Sequence, residues 1–393
     1  MVYFLSMLYK KINKIAPKIS VLMSVYNGSH YLRESIESIL NQTFRDFEFI
    51  IIDDCSTDKS WKIITEYSEQ DERIILVKNQ ENLGLTKSLN KGLKIARGEY
   101  IARQDADDIS LLERLEKELI FLDEHPDVAL VSCNLEIINS EGFTIDKWQL
   151  ACDSNLVAWY LLFYNRLGGH SQFLFRKEVI LNLGGYCETF RYSQDYELLC
   201  RLAKVGKIAI IPEFLLKYRM HNQAISMHKK LEQEACTLTQ VRHNIQELIG
   251  EEVTLDEAKN LMHFWTGNAH WWPEQFPNSR KVGNIHYRLT QIYQIFIKKY
   301  SIQNDFHTDE ISSNMKTLIG KQFLYWIQSP FNKNNGLIAK LKISFYAYFW
   351  YPLGIPKSWC IGLIKLPFYM KQQIKLTLIS LIKYVLLRNK YNS

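Results

Sequence analysis

The first half of the chain contains a short apolar run that ends in acids, YIARQDADD at residues 100–108. The run has the pattern of a buried strand, and Asp105, Asp107 and Asp108 follow where that strand would end. At this edge of an α/β sheet, carboxylate oxygens can bind a divalent ion such as Mg²⁺ or Mn²⁺. Asp-x-Asp triplets also occur in solvated acidic loops, so the surrounding sequence has to decide between the two interpretations.

Short apolar runs alternate with helical spacing on both sides of this stretch. The predicted strands are 19–25, 47–52, 73–77, 99–104 and 128–133. The alternation predicts a mostly parallel sheet with helices on both faces, in which ligands bind at the carboxyl ends of strands. Tyr26, Asp54 and the acids at 105–107 are therefore expected in one crevice. The chain lacks a GxGxxG turn and a Walker A loop, which argues against a dinucleotide enzyme or a P-loop kinase.

The composition is that of a globular protein large enough for two or three domains. The chain has 393 residues, of which 47% are hydrophobic and 23% charged, and its net charge is +6. Seven cysteines without CxxC or zinc-like spacing predict buried free thiols and a reducing compartment. The N-terminus has its apolar residues before its lysines, the reverse of a secretory signal, and no apolar run is long enough to span a bilayer.

Six ordered motifs together resemble the family 2 glycosyltransferases with the GT-A fold. The matching stretches are ISVLMSVYN at 19–27, SILNQTF at 38–44, IDDCSTD at 52–58, NLGL at 82–85, ARGEYIARQDADD at 96–108 and RL at 114–115. Several motifs in the same order are far more specific than any one of them. The resemblance implies an α/β protein with the GT-A nucleotide-diphospho-sugar transferase fold, to which helical periodicity after residue 228 adds a helical C-terminal extension.

This resemblance implies roles in donor binding for several residues. Ser24 and Tyr26 match positions that line the uridine pocket, and Asp54 matches the carboxylate that reads the uracil imide. Asp105 matches the position near the ribose and the metal, and Asp107 matches the ligand of Mn²⁺ or Mg²⁺. Strand-end packing is the alternative for Ser24 and Tyr26. Structural roles as turn, helix-cap or loop carboxylates are expected for three other acids: Asp53, Asp58 and Asp108.

The acceptor side is represented by RYSQDYEL at 191–198, which precedes a predicted helix. It resembles the family segment whose Asp is the general base, so Asp195 is the expected base and a helix N-cap is its alternative role. Gln194 replaces the usual Glu, which removes one negative charge beside the base. A single inverting displacement needs a base for the acceptor hydroxyl and positive charge for the departing diphosphate.

Two further sets of residues have open roles. The sequence YRMH at 218–221 resembles the Tyr-Arg-x-His ending of the family segment, so Arg219 or His221 could reach the diphosphate or the metal. His170 could line the acceptor pocket, and a buried, hydrogen-bonded histidine is the equal alternative.

The predicted domains are an N-terminal extension at 1–17, a GT-A domain at 18–227, a helical domain at 228–330 and a basic aromatic tail at 331–393. No Asp or Glu follows Glu310, whereas lysines and aromatic residues accumulate. Basic amphipathic helices with aromatic residues lie in the headgroup layer of anionic membranes. An oligomerisation arm is a second interpretation, and nucleic-acid binding is disfavoured because the tail is too apolar.

The expected function is inverting, metal-dependent transfer from a nucleotide sugar, with a UDP-sugar the expected donor. The acceptor would be a glycan or lipid-linked oligosaccharide in surface polysaccharide synthesis, on the cytoplasmic face of the membrane. The alternative is a catalytically weak, membrane-associated glycan-binding or scaffold protein that retains the GT-A fold. A nucleotidyltransferase is disfavoured because no Gly-rich basic loop follows the first strand.

Overall fold

A computed structural model describes residues 16–224, 228–266, 281–303, 308–328 and 337–352. The chain divides into two compact units, residues 1–244 and 245–393. Within the described ranges, no helix combines the length and the apolar character that crossing a membrane requires.

Nine strands form one sheet within the described part of the first unit. They are β1 (Ile19–Val25), β2 (Phe47–Asp53), β3 (Ile74–Lys78), β4 (Tyr100–Arg103), β5 (Ile109–Ser110), β6 (Val128–Ile138), β7 (Thr144–Trp148), β8 (Leu174–Arg176) and β9 (Lys207–Arg219). Their order is β3-β2-β1-β4-β8-β6-β9-β5, and β7 pairs with β6. The α/β fold predicted from the alternation of strands and helices is confirmed.

The sheet is parallel where the sequence pattern is strongest. Strand β1 pairs in parallel with β2 and β4, and β2 with β3. On the other side of β4 the sheet is mixed, because β8 runs antiparallel to both β4 and β6, while β6 and β9 are parallel. The strands β5 and β8 have two and three residues, too few for periodicity to identify them as strands.

Helices flank this sheet and cover its apolar strands. They are α1 (Leu32–Leu40), α2 (Ser60–Gln70), α3 (Leu85–Ile95), α4 (Arg114–Glu124), α5 (Ser154–Leu161), α6 (Lys177–Asn182) and α7 (Gln194–Leu202). Strand β2 is buried along its whole length, which is why five of its seven residues are apolar. Gly98 precedes β4 at a point where a Cβ atom would lie 2.4 Å from the backbone nitrogen of Ser20, so only glycine fits there.

The described residues after 228 are helical, as the periodicity predicts. The helix α8 (Lys230–Ile249) lies mainly in the first unit and ends in the second. In the described part of the second unit it is followed by α9 (Leu255–Thr266), α10 (Val282–Gln303), α11 (Thr308–Gln328) and α12 (Leu337–Trp350). Helix α12 contains the described part of the predicted tail. Its residues Tyr346 and Trp350 are buried, and the Tyr346 ring stacks on His286 with 4.0 Å between ring centroids. Residues 353–393, most of the tail, lie outside the described residues.

The six cysteines that the structure describes have free thiols. Cys133 and Cys200 are buried, as the sequence predicts, whereas Cys55, Cys152, Cys187 and Cys236 are half-buried.

Candidate active site

The carboxyl ends of β1, β2 and β4 meet at one edge of the sheet, because these strands are parallel neighbours. Ser24 is half-buried near the end of β1, and the Tyr26 side chain just beyond is 53% exposed. Asn27 has a left-handed backbone with a φ of 52°, and its Oδ1 accepts a 2.8 Å hydrogen bond from the Thr57 amide. This hydrogen bond fixes the turn at residues 26–27, where the Tyr26 ring lies exposed at the edge of the crevice.

Asp54 is buried directly after β2 and organises the neighbouring loop. Its carboxylate accepts hydrogen bonds from Asn79 Nδ2 at 2.7 Å, from the Leu83 amide at 2.9 Å and from the Gly84 amide at 2.8 Å. A carboxylate has about four acceptor positions, so one is left for a further donor such as a base imide. The contribution of Asn79 could not be found from the sequence, because nothing local marks it.

The neighbouring acids have the turn and cap contacts expected of them. Asp53 Oδ2 accepts from the Ser56 amide at 3.3 Å. Asp58 accepts from the amides of Ser29 at 3.0 Å and Ser60 at 2.9 Å, the latter at the start of α2. Burial alone would raise the pKa of Asp58, but these hydrogen bonds outweigh it and the pKa is lowered. Both side chains therefore stabilise the turn at residues 53–60.

Asp105 follows β4 and lies half-buried beside a buried cation. Its Oδ1 accepts from Arg103 Nη2 at 2.5 Å, and its amide donates to Ser171 Oγ at 2.9 Å. The Arg103 side chain is fully buried, whereas 28% of the Asp105 side chain is exposed. One face of the carboxylate is thus fixed from below while the other remains accessible to a ligand.

Asp107 pairs with His221, a residue whose role the sequence analysis leaves undecided. The distance between Asp107 Oδ2 and His221 Nε2 is 2.8 Å, and the His221 ring also packs on Tyr31 with 4.8 Å between centroids. A carboxylate and an imidazole side by side suit Mn²⁺, and Mg²⁺ would use the carboxylate together with waters and phosphate oxygens. No group of three His, Cys, Asp or Glu side chains placed to hold a metal ion occurs among the described residues.

Asp108 is buried and has the structural contacts that the sequence predicts. It accepts hydrogen bonds from Ser171 Oγ at 2.5 Å and from the Arg219 amide at 2.9 Å. Burial, followed by the negative charges of Asp107 and Asp105, raises the pKa of Asp108 well above its usual range. Asp108 therefore connects the acidic loop to β9 and to residue 171.

Arg219 is buried, with its guanidinium already occupied by protein partners. Nη2 pairs with Glu34 at 2.5 Å, Nε donates to the Asp107 carbonyl at 2.8 Å, and the guanidinium lies 4.5 Å from the centroid of the Tyr31 ring. This arrangement favours a role in holding the backbone of Asp107 over direct contact with a diphosphate.

His170 is also buried, which agrees with the second of its two predicted roles. Its Nε2 lies 2.8 Å from Tyr186 Oη and 3.3 Å from Arg103 Nε. Burial, together with the positive charge of Arg103, lowers the pKa of His170 well below its usual value. The ring is therefore neutral and serves as a hydrogen-bond partner inside the domain.

Asp195 lies in the first turn of α7, after Ser193, whose φ of 55° is left-handed. The helix begins at Gln194, so Asp195 is inside it and does not cap it. Asn165 Nδ2 donates a 2.9 Å hydrogen bond to Asp195 Oδ2. Burial raises the pKa of Asp195 to about 6, and the negative charge of Asp105 contributes in the same direction. Asp195 is thus close enough to Asp105 for the two charges to interact.

Comparison with known proteins identifies relatives of this site and fold. Residues 20–196 match the model named Glycosyl transferase family 2. An uncharacterized glycosyltransferase of Methanocaldococcus jannaschii is 40% identical over 210 residues, which cover 53% of this chain and 72% of the relative. The O-antigen biosynthesis glycosyltransferase WbnJ of Escherichia coli is 35% identical over 217 residues, which cover 54% of this chain and 83% of WbnJ.

A solved structure shares the fold at low sequence identity. It is that of S. aureus TarS 1-349 in complex with UDP-GlcNAc, with a TM-score of 0.51 and 17% identity over 85% of this chain and 90% of TarS 1-349. The expected GT-A fold is thereby confirmed. Together with the family motifs and the 40% identical relative, these findings show that the chain belongs to glycosyltransferase family 2.

Proposed function

We propose that this glycosyltransferase inverts the configuration of its donor sugar, with Asp195 as the general base. The observation that carries the proposal is the environment of Asp195, a carboxylate whose pKa burial raises to about 6 beside the acids of the strand-end crevice. A base with a pKa near the working pH is ionised and still takes a proton from the acceptor hydroxyl readily. The hydroxyl then attacks the anomeric carbon as the bond to the nucleotide breaks.

Donor binding is assigned to the residues at the carboxyl ends of the strands. Tyr26 offers an exposed ring for stacking on a base, and Asp54 has an acceptor position for a base imide. Ser24 and Asp105 would complete the nucleoside site on the neighbouring strands. A UDP-sugar is the donor we propose, and the likeness to TarS, whose complex contains UDP-GlcNAc, supports it at the level of the fold.

Asp107 and His221 would hold Mn²⁺ or Mg²⁺, which neutralises the charge of a departing diphosphate when bound. The 2.8 Å contact between Asp107 Oδ2 and His221 Nε2 supports this proposal, because a carboxylate and an imidazole side by side are both potential ligands. Arg219 keeps the Asp107 carbonyl in place through its Nε, so the backbone of the acidic loop is fixed before any ligand arrives.

We propose a glycan or lipid-linked acceptor in surface polysaccharide synthesis. The names of the relatives support this acceptor class, since one of them is named for O-antigen biosynthesis. We further propose that the protein works on the cytoplasmic face of the membrane and that the tail at 331–393 contacts anionic lipid. The lysines and aromatic residues of that segment support the proposal, together with the absence of acids from it. Residues 337–350 of this segment form α12, whose buried aromatic residues belong to the second unit.

A screen of nucleotide sugars with MnCl₂ tests the function. We expect one UDP-sugar to raise the melting temperature, since a ligand at 100 times its Kd stabilises the folded state by about 2.7 kcal/mol. The same donor should release UDP slowly by hydrolysis when no acceptor is present. A scaffold protein would bind without releasing UDP, and a protein stabilised by no nucleotide sugar would contradict the proposal. Parallel samples with EDTA measure how far binding depends on the metal.

A further inference from the structure

The side chain of Arg103 lies under the acidic loop, although no motif identified it as a functional residue. It is 0% exposed, and its guanidinium hydrogen-bonds to buried or half-buried groups of the same unit. Its Nη2 donates to Asp105 Oδ1 at 2.5 Å, and Nη1 donates to the carbonyls of Leu22, on β1, and Gln104. The guanidinium therefore joins the middle of β1 and the residue after β4 to one carboxylate of the site.

His170 and Tyr186 hold the other side of this guanidinium. Arg103 Nε lies 3.3 Å from His170 Nε2, and Tyr186 Oη lies 2.8 Å from the same nitrogen. Because both neighbours are placed as donors, Nε2 is the acceptor and the ring proton belongs on Nδ1. The backbone of Tyr186 is itself fixed by Asn90 on α3, through its amide and its carbonyl, both at 2.9 Å. All three side chains of this arrangement are buried.

The electrostatic surroundings explain why a cation is useful at this position. The negative charges of Asp107 and Asp105 act on Asp108, and the negative charge of Asp105 acts on Asp195. A nucleoside diphosphate would add further negative charge to the same crevice. A buried guanidinium paired with Asp105 offsets part of this repulsion and holds the carboxylate in one orientation, since planar guanidinium donors fix carboxylates more rigidly than an ammonium does.

We propose that Arg103 is a positioning residue for donor binding, which fixes the Asp105 carboxylate toward the ribose side of the nucleotide, and that His170 and Tyr186 fix Arg103 in turn. The inference rests on the proposed function, because it requires Asp105 to contact the donor. It assigns no contact with the substrate to Arg103 itself.

Titration of the protein with UDP or GDP in MnCl₂ tests this role. We expect Arg103→Met to weaken binding of the preferred nucleotide by about 10-fold, equivalent to about 1.4 kcal/mol, because Asp105 loses its charged partner. With the cognate nucleotide sugar, KM should rise more than kcat falls. Tyr186→Phe removes only the hydroxyl that holds His170, and we expect it to weaken UDP binding by about 3-fold.

Arg73→Met is the matched control. Arg73 makes an ion pair with Asp71 at 2.7 Å just before β3 begins, at the opposite end of the strand from the site. This variant should lose stability without a change in nucleotide affinity. If Arg103→Met does not fold, Arg103→Lys and Tyr186→Phe carry the test, because both preserve more of the buried packing.

A double-mutant cycle with Asp105→Asn separates positioning from general stabilisation. If Arg103 acts through Asp105, Arg103→Met should weaken binding by less than about 2-fold in the Asp105→Asn background. An undiminished effect in that background, or wild-type affinity in Arg103→Met, would overturn the role of Arg103 and leave the proposed function intact. A wild-type protein that binds neither UDP nor GDP would overturn both.

Discussion

The acids of the crevice fall into two regions that differ in the side chains and backbone groups that contact them. The donor corner consists of Asp105, Asp107 and Asp108, and each has a side-chain partner: Arg103, His221 and Ser171. The base corner consists of Asp195 and Asn165, and Asn165 supplies a side-chain hydrogen bond from a loop. The acids that would hold a ligand are thus paired with a cation, an imidazole and a hydroxyl, whereas Asp195 is held by one amide side chain and by backbone amides at the start of its own helix.

This difference follows from what each region has to do. A metal and a diphosphate require oxygens at fixed positions, and rigid partners provide them before the ligand binds. A base must accept a proton and release it again, so an excess of hydrogen bonds to its charged form would lower its pKa and weaken it. At Asp195, burial outweighs the hydrogen bonds from the backbone amides of Tyr196 and Asp195 and from Asn165, and it raises the pKa to about 6.

Asp195→Asn should produce the largest effect and affect the base corner alone. Asparagine preserves the shape and leaves an oxygen for Asn165, but it cannot take the proton. We expect sugar transfer to fall by about 10²- to 10⁴-fold, while UDP affinity in MnCl₂ remains that of the wild type. Asp58→Asn changes a turn carboxylate outside both corners and controls for the loss of one negative charge. Transfer near the wild-type rate in Asp195→Asn would place the base elsewhere.

Asp107→Asn should produce the next largest effect and affect the donor corner. Loss of the carboxylate removes the better of two neighbouring ligands, so we expect metal-dependent UDP binding to weaken by about 10- to 100-fold. The readout is the ratio of UDP affinities with MnCl₂ and with EDTA. That ratio should collapse toward one in Asp107→Asn and stay unchanged in Asp195→Asn. A preserved ratio in Asp107→Asn would show that the metal is held by other residues.

The sequence was most informative where structure is local. The predicted strand at 19–25 has the bounds of β1, because a buried parallel strand produces a largely apolar run, broken here only by Ser20 and Ser24. The clustering of Tyr26, Asp54 and Asp105 at one edge follows from the parallel order of β2, β1 and β4 alone. Helical character after residue 228 was equally readable from periodicity.

The supporting contacts were beyond prediction because they join distant parts of the chain. Asn165 donates to a residue 30 positions away, and Arg219 pairs with Glu34 across 185 positions. Asn165 stands in a stretch without clear periodicity, so no pattern marks it as a partner of the base. Arg103 is only two residues from Asp105, but it falls at an ordinary strand position, and only the structure shows that its buried side chain pairs with that carboxylate.

Substitution of Asn165 should produce the smallest effect, because it changes the pKa of Asp195 in the base corner without removing the base itself. In the wild type, the rate of transfer should fall as the pH drops through about 6, since Asp195 then becomes protonated. The Asn165 hydrogen bond stabilises the charged carboxylate, so Asn165→Ala should move the low-pH limb of the pH–rate profile upward by about half a pH unit.

A second variant, Asn165→Asp, keeps an acceptor for the Leu167 amide, which in the wild type donates to Asn165 Oδ1 at 2.9 Å. It also adds a negative charge beside Asp195, so it should move the low-pH limb further upward. At pH 8 the transfer rates of wild type and Asn165→Ala should converge, because Asp195 is ionised in both. A limb that stays in place in both variants would mean that a group other than Asp195 limits transfer at low pH.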